Sequence, residues 1–129
     1  MKPYHNITLP KSQAAFELES LKQAYIKSEN NALTLRVALM EDIDARFQNA
    51  KDQAEFSDDF NVKIYEQISS ILHNCRKDYA ALGVYIDALF IDTVDKARLL
   101  TMLTDMTEAE LTFEAVKTTC DERGVILYE

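Results

Sequence analysis

Apolar or small residues recur at Leu18, Leu21, Tyr25, Ser28, Ala32, Leu35, Leu39, Ile43, Phe47, Ala50 and Ala54, always three or four positions apart. That spacing is the period of one helical face, and good helix formers fill the positions between. With Ser12 as a candidate N-cap, the pattern predicts a helix over 12–54. Its weak point is Ser28-Glu29-Asn30-Asn31, where Ser and Asn side chains compete for backbone hydrogen bonds; a kink there is the alternative to one unbroken run. Residues 1–11, with Pro3 and Pro10, read as an N-terminal arm.

A second seam runs through Ile64, Ile68, Ile71, Cys75, Tyr79, Leu82, Ile86 and Leu89, close to heptad spacing. It predicts a helix over 58–91, preceded by the turn Glu55-Phe56-Ser57-Asp58-Asp59, which has two cap-type residues and acids that complement the helix dipole. The stretch from Tyr79 to Ile91 is apolar all round apart from Gly83 and Asp87. Such a helix belongs in the middle of a bundle or against a partner, and this one is too short to cross a bilayer. Gly83 is expected to admit a neighbouring helix at close range.

Asp92 is a good N-cap and Asp95 stands at N3, which approximates a capping box. Leu99, Leu103, Met106, Phe113, Val116 and Cys120 then predict a third helix over 93–123. Thr107-Glu108-Ala109-Glu110 also matches a capping box, so a break near Thr107 is the alternative. Gly124 has the position of a C′ glycine, with Val125 placed for its apolar contact. The tail over 124–129, including Val125-Ile126-Leu127-Tyr128, is apolar enough to fold back or to dock on another chain.

The expected fold is all-α, a single domain over 1–129 built as an antiparallel up-down-up bundle of three long helices. Kinks near Ser28 and Thr107 would make four or five segments. Composition agrees with few, long elements: only two Gly and two Pro supply turns.

Charge narrows the function. The formal net charge is −8, from 22 acidic and 14 basic side chains. Nucleic-acid binding needs a basic footprint, and anionic membranes attract basic segments, so neither is an expected partner. The N-terminus has no apolar signal region, which makes a cytoplasmic location the expectation. Cys75 and Cys120 fall about eleven residues out of register on the expected antiparallel helices, roughly 16 Å. A disulfide needs Cα atoms within about 7 Å, so two reduced, mostly buried thiols are expected.

Catalytic signals are sparse. His5 lies in the arm, and His73 is two residues from Cys75, a spacing that points helical side chains apart. The Glu-x-x-His pairs of two-metal bundles are missing, since Ser70 stands three before His73. Glu41 and Asp44 or Asp87 are the only candidates for a carboxylate magnesium site, without the spacing of a motif. No catalytic, cofactor-binding or metal residue is assigned, and the chain reads as a non-enzyme.

Simple antiparallel pairing would gather Asp52, Glu55, Asp58, Asp59, Asp121, Glu122 and Glu129 at one pole, faced only by Lys51, Lys63 and Arg123. The other half carries Lys2, Lys11, Lys22 and Lys27. An acidic pole can steer a basic partner; acids at helix starts also complement the dipole and aid solubility. Tyr85 and Tyr128 are the aromatic candidates for a binding surface. Most of the aromatics fall on the seams, and Tyr65, Tyr79, Phe90 and Phe113 are assigned to the core. A three-helix layer covers a central helix on two sides only, which leaves some of Val84, Tyr85, Ala88 and Ile91 for a second subunit.

In its helicity and acidity the chain resembles small bacterial or phage proteins of the export-chaperone, immunity, inhibitor and adaptor kinds, a resemblance of type carried by no motif. The function expected is a non-enzymatic protein-binding module that uses the acidic pole and part of an apolar seam. The alternative is a homo-oligomeric structural protein, with residues 79–91 and the tail at a homodimer interface; a carboxylate-metal enzyme ranks third.

Overall fold

The computed structural model describes the backbone of residues 5–54 and 59–125, and side chains from Ala14 onward. Among the described residues there are four helices and no strand: α1 (His5–Gln53), α2 (Phe60–His73), α3 (Tyr79–Ala88) and α4 (Thr93–Glu122). None of these helices is long and apolar enough to cross a membrane. The chain divides into two compact units, Leu33–Glu108 and Met1–Ala32 with Ala109–Glu129. Helix α1 starts at His5, so residues 5–11 of the expected arm are helical and Ser12 lies inside the helix.

Neither doubtful point in the long helices is a break. The Ser28 hydroxyl donates to the Tyr25 carbonyl at 3.1 Å, and Tyr25 and Ala32 on either side are buried. Thr107 donates to the Leu103 carbonyl at 2.8 Å, between buried Met106 and Ala109. Burial on both sides of each residue outweighs the local competition from its hydroxyl, because a lost core side chain costs about 1.5–3 kcal/mol and propensity differences are only tenths of that.

The second helix does break, at a place the heptad spacing conceals. Helix α2 ends in paired reverse bonds: Cys75 N–H to Leu72 O at 3.2 Å and Arg76 N–H to Ile71 O at 3.1 Å. This is the Schellman closure, and it puts Cys75 in the left-handed region at φ 55°. Arg36 of α1, itself buried, donates to Leu72 O at 3.4 Å and to Arg76 O at 2.8 Å. Asp78 then caps α3 by accepting from Ala81 N–H at 3.3 Å. The expected single helix over 58–91 is therefore two helices, and its start moves to Phe60, where Asp59 accepts from Val62 N–H at 3.2 Å. Helix α4 closes with the same motif at Gly124, φ 69°, with Val125 N–H on Cys120 O at 2.9 Å. Asp92 caps the start of α4 by accepting from Val94 N–H at 2.7 Å, as its position in the sequence implied.

In the unit Leu33–Glu108 all four helices supply one core. Leu39 and Ile43 of α1 pack with Ile68 and Leu72 of α2, Leu82 and Ile86 of α3, and Leu99, Leu103 and Met106 of α4. Gly83 is not a point of close approach. A methyl group built there would meet only Leu103 Cδ2, at 3.8 Å, which is ordinary contact.

The other unit is a helical pair. Tyr25 stacks at a tilt on Phe113 with ring centroids 5.1 Å apart, Cys120 Sγ donates to Leu21 O at 3.5 Å, and Arg123 pairs with Glu17 at 3.2 Å. Rising numbers on α1 meet falling numbers on α4, so the two segments are antiparallel here. Cys120 is fully buried, and burial pushes its thiol pKa up, with the Asp121 charge adding to the shift. Cys75 is exposed rather than buried as expected, because it sits in the loop that ends α2 and not on a helical seam.

Cys75→Gly should raise the unfolding free energy by about 0.5–1 kcal/mol in urea denaturation. The relief of a left-handed non-Gly residue, about 1–2 kcal/mol, exceeds the extra freedom glycine has when unfolded. Gly83→Ala should stabilise by about 0.5–1 kcal/mol, since α3 has room for the methyl; a loss would mean that Leu103 cannot yield. Because the folded pKa of Cys120 is raised, its contribution to stability is complete below the ordinary thiol pKa of about 8.5 and is lost as pH rises through the folded value. Stability should thus fall above about pH 8.5, and fall less in Cys120→Ala, while a thiol reagent labels Cys75 in the native protein and Cys120 only on unfolding.

Candidate functional site

Of the acidic residues expected at one pole, Glu55 and Asp58 lie outside the described residues, as do Glu129 and the aromatic candidate Tyr128. Asp52 and Asp59 belong to the unit Leu33–Glu108, and Asp121 and Glu122 to the other. Within its own unit, that end of α4 pairs with Glu17 and Leu21 of α1. Tyr85 is half-buried and packs against the core of its unit.

What does come together is the junction of three helix ends. Asn49 and Gln53 at the end of α1, Asp59, Asn61 and Tyr65 at the start of α2, and Asp92 and Asp95 at the start of α4 line a cleft of about 460 Å³ with Arg46. Arg46 donates from Nε to Asp42 at 2.6 Å and from Nη2 to Asp95 at 3.4 Å. Burial works against the Arg46 charge, but the hydrogen bonds and attraction of Asp42 and Asp95 outweigh it and raise its pKa above the usual value. The buried Tyr65 phenol is pushed up by desolvation, and Arg46 pulls back against that. Asp59 and Asp92 each use one carboxylate oxygen to hold a helix N-terminus. The cleft's charged groups thus have structural work, and none is a nucleophile beside a base.

Other titratable groups are similarly engaged. Asp44 accepts from Ser69 Oγ at 3.1 Å and lies 2.7 Å from His73 Nε2, tying α1 to α2. The carboxylate takes the hydroxyl on one oxygen and faces the imidazole with the other. Among the described residues no group of three or more His, Cys, Asp or Glu could hold a metal ion, and Glu41, Asp44 and Asp87 do not form one.

Beside the cleft stands the feature the sequence did not reveal. Phe90 is 83% exposed and Phe60 55% exposed, with ring centroids 6.0 Å apart and planes at 78°. Phe90 was expected in the core. Instead α3 ends at Ala88 and Leu89 is extended, at φ −62° and ψ 139°. Successive side chains of extended backbone point to opposite sides, so buried Leu89 turns Phe90 outward. Asn61 holds it there: its Nδ2 donates to Phe90 O at 2.8 Å and its Oδ1 accepts from Phe90 N–H at 2.9 Å. Lys96 Nζ donates to Asp87 O at 2.6 Å and helps to end α3. Val84 and Val94 are exposed as well. The available signal was Asn61 opposite an apolar run without periodicity over Leu89-Phe90-Ile91, which is too short to read alone.

No protein-family model matches the chain, and no curated protein or solved structure is detectably similar to it.

Asn61→Ala should remove both hydrogen bonds to the Phe90 backbone. We expect a loss of about 1 kcal/mol, since the bonds are partly solvated, together with faster hydrogen exchange at the Phe90 amide. Unchanged exchange there would show that the loop is held without Asn61.

Proposed function

We propose that this protein is a non-enzymatic protein-binding module, of the inhibitor, immunity, chaperone or adaptor kind, acting in the cytoplasm of a bacterium or of a phage-infected cell. The observation that carries the proposal is the exposed Phe60–Phe90 pair, with the Phe90 backbone held by Asn61. Aromatic side chains dominate the energetics of protein interfaces, and a pair already fixed loses little freedom on binding. Asp52, Asp59, Asp92 and Asp95 belong to the same unit, so the partner we envisage presents an apolar patch bordered by basic groups, steered by charge. The exposed free thiol of Cys75 suits a reducing compartment. Within this unit we read α1, the interrupted pair α2 and α3, and α4 as the three limbs of an up-down-up bundle.

A second reading, a homo-oligomer joined through residues 79–91, draws on the exposure of Val84 and Phe90 in that stretch. It requires a dimeric mass in light scattering at tens of micromolar that Val84→Lys abolishes.

Capture from lysate of the native source, with the purified protein as bait, tests the leading reading. The double variant Phe60→Ala, Phe90→Ala should stay folded, losing about 0.5–1.5 kcal/mol with the ring contact, yet lose at least about tenfold in partner affinity. Asp52→Lys should weaken capture at low salt more than at high salt. Asp59 is unsuitable for that test because it caps α2. A partner retained by the double variant would remove the aromatic pair from the binding surface.

A further inference from the structure

We draw no further inference here: the strongest candidate, the exposed apolar strip of Leu33 and Val37 on α1 beside Thr34, Ala38 and Glu41, carries none because nothing in the structure shows what covers it.

Discussion

The larger unit depends on how α2 is ended. A helix leaves its last carbonyls without partners and concentrates negative potential there. Arg36 brings a guanidinium from α1 to Leu72 O and Arg76 O, where both the charge and the donors fit. Taking an arginine out of water is costly unless its donors are used, so this contact is tied to one arrangement of α1, α2 and the loop after α2. With the chain turned at Asn74–Asp78, α3 starts in a new helical phase and sends Leu82 and Ile86 into the same core as Ile68 and Leu72.

The outward Phe90 is a consequence of the same shortening. A helix running on to residue 91 would have kept Phe90 on a spiral with Ile86 and Leu89. Because α3 stops at Ala88 and Leu89 is extended, Leu89 goes in and Phe90 goes out. Two polar contacts then stabilise that choice, Asn61 on the Phe90 backbone and Lys96 on Asp87 O. The exposed Phe90 thus stands on well-bonded backbone.

The cleft next to it shows why charged residues in a helical protein are poor guides to chemistry. Asp59, Asp92 and Asp95, with Arg46, would each attract notice as titratable groups around a cavity. Two of the acids hold helix N-termini, and the third shares the guanidinium with Asp42. Such groups shape the junction of three helix ends.

By itself the sequence determined the all-helical class, the seam through Leu39, Ile43, Ile68, Leu82, Leu99 and Met106, and the caps at Asp92 and Gly124. These are decided within one or two turns, by spacings of three and four and by side chains that bond their own backbone. Only the tertiary structure decided that α2 stops at His73, that Phe90 faces water, and that the end of α4 meets Glu17. Arg36 reaches 40 residues ahead to Arg76, Asn61 29 to Phe90, and Arg123 pairs across 106. No local pattern records such contacts, because the hydrogen-bond partner that tips each choice comes from another helix.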